Sequence, residues 1–130
     1  MAFQSGSRRG ATFEELLGKT LTKVEYSQDK YDKEQEAIHF YTEDVHYQQY
    51  HDQDCCESVT VEDICGDLDD LVGSPILLAE EVINEKQDNQ TWTFYRISTI
   101  KGSVTIRWYG KSDGNYSERV SFVKMLRKEG

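Results

Sequence analysis

A histidine, three cysteines and a dense set of carboxylates stand within residues 50–71, YHDQDCCESVTVEDICGDLDDL, with no Lys or Arg among them. Imidazole nitrogens and thiolates bind structural zinc, so His51, Cys55, Cys56 and Cys65 are candidate metal ligands. The spacing argues against zinc. In a zinc knuckle, other residues stand between the two cysteines so that both thiolates can point at one ion, whereas adjacent cysteines on a strand point to opposite faces. We therefore expect neither a metal nor another cofactor.

The same block also offers a possible nucleophile and base. Cys55 or Cys56 could be activated by His51, with Asp52 or Asp54 orienting the imidazole. Nearby carboxylates raise the pKa of a thiol, however, and a reactive cysteine needs the opposite shift. Because the chain also lacks a nucleophile elbow, a phosphate-binding loop and a metalloprotease motif, we expect a protein that is not an enzyme.

The three cysteines can also be interpreted without any chemistry. Their number is odd and two of them are adjacent, which argues against a disulfide framework and favours reduced thiols. A free cysteine often behaves as a small buried hydrophobic residue, so we expect at least one of the three in the core.

The carboxylates are a second candidate for function. The chain has a formal charge of −9, and no Lys or Arg occurs between Glu34 and Glu85. Because a merely solubilising surface normally mixes both signs, this segment predicts a contact surface for a basic protein and repulsion of duplex nucleic acid. The predicted contact residues are Glu57, Glu62, Asp63, Asp67, Asp69 and Asp70.

The C-terminal part offers an alternative site. Residues 91–130 hold 3 acidic residues against 8 Lys or Arg, so their charge is opposite to that of the rest of the chain. Arginine and aromatic side chains clamp phosphates and stack on bases, which predicts a small-ligand site for a nucleotide signal. Its residues would be Arg96, Arg107, Trp108 and Tyr109, although both arginines could instead pair with carboxylates across a sheet, and Trp108 could be in the core.

Strands must position most of these groups, because the hydrophobic pattern has a period of two along much of the chain. A hairpin is predicted around Thr42-Glu43-Asp44, and a strand over SVTVEDI places Val59 and Val61 on one face. The segment GDLDDLVG predicts a helical turn, and SPILLAEEVI predicts a buried strand. A short helix is predicted over ATFEELLGKTL, with Leu16 and Leu17 facing the core.

The C-terminal third predicts further strands. TWTFYRIST and VTIRWYG are rich in aromatic and β-branched residues, and Asp113-Gly114 predicts a hairpin turn before YSERVSFV. Alternation in the second of these strands places Trp108 on one face and Arg107 with Tyr109 on the other. The sum predicts a mainly β fold of seven or eight strands, an antiparallel sheet closed as a small barrel or folded as a sandwich, with one or two short helices.

The length of 130 residues predicts one globular domain over residues 11–130, after a loose tail at residues 1–10. The longest apolar stretch, Pro75-Ile76-Leu77-Leu78-Ala79, is too short to span a bilayer, and no signal region opens the chain. These features predict a cytoplasmic protein without membrane contact. An unpaired sheet edge would also permit a homodimer.

Two blocks of the sequence carry a resemblance to a known family. The blocks YHDQDCCESVTVEDICGDLDDLVGSPILLAEE and TWTFYRISTIKGSVTIRWYGKSDGNYSE resemble a widespread family of small, uncharacterised bacteriophage and prophage proteins over roughly residues 18–123. The resemblance implies an accessory phage protein in the bacterial cytoplasm, where such proteins often disable host machinery, including CRISPR nucleases. Together with the charge pattern, it predicts a non-enzymatic inhibitor that binds a host defence or nucleic-acid-handling protein through its acidic face.

Overall fold

The computed structural model describes residues 9–28, 36–53, 55–86 and 88–126, which form two antiparallel sheets and two short 3₁₀ helices. The strands are β1 (Arg9–Gly10), β2 (Lys23–Gln28), β3 (Glu36–Tyr41), β4 (Val45–Tyr50), β5 (Ser58–Cys65), β6 (Leu78–Lys86), β7 (Gln90–Thr99), β8 (Gly102–Lys111) and β9 (Ser121–Leu126). The helices are η1 (Phe13–Leu16) and η2 (Leu68–Leu71).

The two sheets form a sandwich-like arrangement and not a closed barrel. The first sheet has the strand order β1-β9-β4-β3-β2, and the second has the order β5-β8-β7-β6. The mainly β, antiparallel prediction is therefore confirmed. The described residues form nine strands. One of them is β1, in which Arg9 and Gly10, assigned to a loose tail from the sequence, pair with Lys124 and Val123 of β9.

The alternating pattern of the strands produces the shared core. Along β7 and β8 every second side chain is buried, so each strand gives one face to the core and the other to the outside. Aromatic rings fill the space between the sheets: Phe13 contacts Phe40, Tyr95 and Phe122. A buried hydrogen bond also joins the sheets, because the indole Nε1 of Trp108 donates to Oε1 of Gln49 at 2.7 Å.

The two helices cover parts of the sandwich that the strands leave open. In η1, Leu16 is completely buried, and Thr12 N donates to the Glu15 carboxylate at 3.0 Å as part of a capping box. Leu17, predicted to face the core, is 56% exposed because the helix ends at Leu16. No helix among the described residues is long and apolar enough to cross a membrane.

Two predictions about individual segments are wrong. Asp113-Gly114 does not close a hairpin, because the chain leaves the second sheet there and β9 pairs with β4 in the first sheet. The segment SPILLAEEVI does not form a buried strand: β6 begins at Leu78 and lies at the edge of its sheet, where Val82 and Ile83 are about 40% exposed.

Candidate functional site

The adjacent cysteines lie in an exposed bend and not on a strand. Cys55 and Cys56 form a disulfide with each other, and both are exposed. The prediction of reduced thiols is wrong for Cys55 and Cys56 and right for Cys65, which is free. The predictions of opposite strand faces and of a buried cysteine are wrong, since Cys65 is exposed as well. The physical reason is that strand pairing begins only at Ser58, so the strand alternation does not reach the cysteine pair.

His51 is directed towards Glu57 and away from the cysteines. Its Nε2 lies 2.7 Å from Oε2 of Glu57, and its Nδ1 lies 2.7 Å from the backbone oxygen of Arg119. Both ring nitrogens therefore lie within hydrogen-bond distance of an oxygen atom. Glu57 also accepts from Cys55 N at 3.0 Å, so its buried carboxylate organises the bend.

Among the described residues, the four candidate zinc ligands are not brought together. His51 has both nitrogens in hydrogen bonds, Cys55 and Cys56 are bonded to each other, and Cys65 lies beyond them at the end of β5. Throughout the described ranges, no group of three or more His, Cys, Asp or Glu side chains is placed to hold a metal ion. Asp54, a proposed orienting residue, lies outside these ranges.

Five of the six predicted contact residues lie along one edge of the second sheet, on the end of β5 and on the turn that follows it. We call this group the acidic edge. It consists of Glu62, Asp63, Asp67, Asp69 and Asp70. The sixth, Glu57, does not belong to it, because its side chain is buried against His51.

Local structure fixes the acidic edge. A bulge in β5 between Val61 and Asp63 places Glu62 and Asp63 next to each other against β8. The chain then turns at Gly66, where φ is 111° and a Cβ would lie 2.5 Å from the Ser103 carbonyl oxygen, so only glycine fits. Asp67 caps η2 by accepting from Asp69 N at 3.0 Å.

One cation and one thiol contact the acidic edge. Arg107 Nε lies 2.7 Å from Glu62 Oε1, and its Nη2 lies 3.9 Å from Asp63 Oδ2. Cys65 Sγ donates to Asp63 at 3.2 Å, and this hydrogen bond raises the pKa of the thiol.

The alternative ligand residues are divided between two sides of the second sheet. Trp108 points into the core and is 1% exposed, so it cannot contact a ligand on the outer side. Arg96, Arg107 and Tyr109 share the outer side with Trp92, whose ring lies 4.9 Å from that of Tyr109. Arg96 pairs with Glu80 at 3.4 Å, so both arginines have carboxylate partners, as one interpretation of the sequence had suggested.

A histidine pair on the outer side of the first sheet escaped the sequence reasoning. His39 Nδ1 and His46 Nε2 lie 2.8 Å apart, and Ser27 Oγ lies 2.8 Å from His39 Nε2. Burial lowers the pKa of His39, which favours the neutral ring. The sequence could have predicted this pair, because His39 and His46 lie next to the core residues Phe40 and Tyr47 on the two strands of the predicted hairpin. Alternation therefore places both histidines on the outer side.

One family model matches most of the chain. No curated protein and no solved structure matches it. The matching model covers residues 14–122, from η1 to the start of β9, and thus includes β2–β8 and the acidic edge. The chain belongs to the family described as "Domain of unknown function (DUF7448)".

Proposed function

We propose that this protein binds another protein and does no chemistry, and that its acidic edge contacts a basic surface of that partner. The observation that carries the proposal is the set of five carboxylates between Glu62 and Asp70 on a strand end and the turn after it, four of them exposed. A rigid row of negative charge attracts a cationic surface and repels phosphates. Its preferred partner is therefore a basic protein and not nucleic acid.

The ion pairs of the acidic edge support the proposal. Arg107 pairs with Glu62 and Asp63, while Asp67 and Asp69 form no ion pair with any described residue. An excess of negative charge is therefore available to a partner. His51 pairs with the buried Glu57 and Cys55 is bonded to Cys56, which supports a binding role for this block.

The biological setting is also part of the proposal. A row of carboxylates on a rigid support resembles a row of phosphates and could occupy the groove of a nucleic-acid-handling protein. The resemblance to bacteriophage and prophage proteins favours a partner in the bacterial cytoplasm. We propose that the protein is a phage accessory protein that inhibits a host defence or nucleic-acid-handling protein.

The experiment compares two variants with equal net charge. The edge variant carries Asp63→Asn, Asp67→Asn and Asp69→Asn, and the control variant carries Glu14→Gln, Asp52→Asn and Asp113→Asn. Each tagged protein is used for capture from bacterial lysate at low and high salt, because salt screens exposed charges. We expect the edge variant alone to lose its basic partner, and high salt to weaken capture by the unaltered protein. Equal capture by both variants would contradict the proposal.

A small-ligand site is the second candidate function, because Arg96, Arg107 and Tyr109 share one exposed face with Trp92. A nucleotide would stack on the rings and draw the arginines away from their carboxylates. At 100 times its dissociation constant, a ligand raises stability by about 2.7 kcal/mol. A thermal-shift screen of linear and cyclic nucleotides tests this candidate, and the absence of any shift would reject it.

A further inference from the structure

Strand β6 is a long edge strand with an unusual surface. It runs over nine residues, Leu78–Lys86, and pairs with β7 on one side only within the described part of the chain. Three apolar side chains on it are partly exposed: Leu78 (41%), Val82 (41%) and Ile83 (39%). An edge of this kind presents unpaired backbone N–H and C=O groups to any extended chain.

The other described sheet edges carry protective features. In β5, a bulge interrupts the ladder, and the Glu36 carboxylate accepts from Val61 N at 3.0 Å. β1 has only two residues, and β2 carries the Lys23–Glu25 ion pair. Bulges, short strands and charged side chains are devices that block further strand pairing. β6 carries charged side chains as well, but it is nine residues long and has no bulge in its pairing with β7.

The charges along β6 indicate what kind of strand could pair with this edge. Glu81, Ile83 and Glu85 alternate on one side of the strand, and all three are exposed. Tyr95 Oη donates to Glu81 at 2.6 Å, but neither Glu81 nor Glu85 has an ion pair with a described residue. On the other side, Val82 lies between Asn84 and Glu80, whose charge is balanced by Arg96.

We propose that β6 accepts an extended cationic segment of another protein as a fifth strand of the second sheet. The backbone ladder would supply affinity, and alternating side chains would supply specificity. The complementary segment has a basic residue opposite Glu81, an apolar residue opposite Ile83 and a basic residue opposite Glu85. The segment is therefore basic at two positions four residues apart, with an apolar residue midway between them.

Charge favours this occupant over a second copy of the chain. Two β6 strands would bring together six glutamates, three from each copy, on proteins that each have a formal charge of −9. Like charges across a strand pair oppose pairing. A cationic segment instead turns Glu81 and Glu85 into attractive contacts. This site lies at the opposite edge of the sheet from the acidic edge and does not depend on the function proposed above.

The test uses a synthetic peptide, Lys-Thr-Val-Val-Lys-Thr-Val, with blocked ends and a fluorescent label. Binding is measured by anisotropy against the full chain. Two N-methylated versions carry methyl groups on alternate residues, in the two possible phases. In a paired strand, the backbone N–H groups of alternate residues point towards the same neighbour. Only one of the two sets of N–H groups in the peptide can therefore form hydrogen bonds with β6, and methylation of the other set should be tolerated. We expect one version to lose binding and the other to keep it, and a Glu-for-Lys peptide not to bind.

Protein variants locate the peptide on β6. We expect Ile83→Lys to abolish binding and Glu85→Lys to weaken it on the order of fivefold, because an exposed ion pair becomes a repulsion. Asp69→Lys makes the same charge change at the opposite edge and should leave binding unchanged. Circular dichroism and a thermal melt confirm that each variant is folded.

Three outcomes would overturn the proposal. The first is binding that depends on peptide charge but responds equally to both methylation phases. The second is peptide binding that is lost in Asp69→Lys and kept in Ile83→Lys. The third is a concentration-dependent dimer, seen by sedimentation, that Ile83→Lys dissociates, because the occupant of β6 would then be a second copy. Loss of lysate capture by the acidic-edge variant, with peptide binding intact, would leave both proposals standing.

Discussion

The imidazole of His51 and the carboxylate of Glu57 form a buried pair, with 2.7 Å between Nε2 and Oε2. Their side chains are 3% and 0% exposed, so solvent does not screen the interaction. The pair connects the end of β4 to the start of β5, and through the Arg119 carbonyl oxygen it also contacts the segment before β9. Its role is to hold the ends of both sheets together.

Removing one member of this pair should strongly destabilise the protein. We expect Glu57→Ala to lower the free energy of unfolding by about 1–3 kcal/mol, because the buried imidazole of His51 and the backbone N–H of Cys55 lose their carboxylate partner. Urea denaturation measures the change. Asp52→Ala is the control, since Asp52 is exposed and should change stability by less than about 0.5 kcal/mol. A change of less than about 0.5 kcal/mol in Glu57→Ala as well would contradict a stabilising role for the His51–Glu57 pair.

The hydrogen bond between Gln49 and Trp108 should stabilise the contact between the sheets. We expect Gln49→Leu to cost about 1–3 kcal/mol in urea denaturation, since the buried indole N–H loses its acceptor. Gln48→Leu, on the outer side of the same strand, is the matched control. Combining Gln49→Leu with Trp108→Phe should cost less than the sum of the single changes, by at least about 0.5 kcal/mol. Strict additivity would show that the two side chains are not coupled.

The thiol count should distinguish the three cysteines. Because Cys55 and Cys56 are bonded to each other, a thiol-reactive dye should label only Cys65 on native protein under oxidising conditions. After reduction and unfolding, all three should be labelled. Mass spectrometry of the labelled peptides gives the count. Labelling of Cys55 or Cys56 without a reductant would show that the disulfide is absent in solution.

Cys65 should itself react slowly. Its hydrogen bond to Asp63 raises the pKa of the thiol, so a smaller fraction is thiolate at mildly alkaline pH. We expect Asp63→Asn to increase the rate of alkylation by iodoacetamide. The control is Asp67→Asn, which removes a nearby charge that makes no contact with the sulfur. Equal alkylation rates in both variants would mean that the overall negative charge near Cys65, and not the hydrogen bond to Asp63, sets the reactivity of the thiol.

Acid should destabilise the protein through His39. Burial lowers the pKa of His39 below its ordinary value of 6.5, so the unfolded chain binds a proton more readily than the folded one. The stability that neutral His39 contributes is present above pH 6.5 and is lost as the pH falls through the lower, folded pKa. An NMR titration of the His39 ring proton should give a midpoint below 6.5, and His39→Gln should reduce the loss of stability. A midpoint at or above 6.5 would be the contrary result.

The strand pattern could be predicted from sequence wherever one side of a strand is buried. Alternation correctly predicted the β3–β4 hairpin and placed Arg107 and Trp108 on opposite faces. It failed at β6, because an apolar run has the same appearance in a central strand and in an edge strand, and only the sheet order distinguishes them. It also failed at Asp113-Gly114, since local turn propensity does not specify which sheet the chain enters next.

The candidate site was only partly predictable for a similar reason. The carboxylates of the acidic edge follow from charge and composition, and all five lie on a predicted strand or helical turn. Glu57 belongs to the same acidic run in sequence, yet its carboxylate lies inside the protein, because His51 and Cys55 N provide partners for it there. Contacts between residues six positions apart in a bend cannot be read from periodicity.

The Glu36 carboxylate, which accepts from Val61 N and from the Tyr26 hydroxyl, has a consequence for how the protein can assemble. With the bulge, it interrupts the β5 edge, while β6 at the other end of the same sheet stays open. A sheet with only one edge strand open to pairing can bind one additional strand, and no second strand can be added at the other edge. Its complexes should therefore have a fixed stoichiometry and should not extend into filaments.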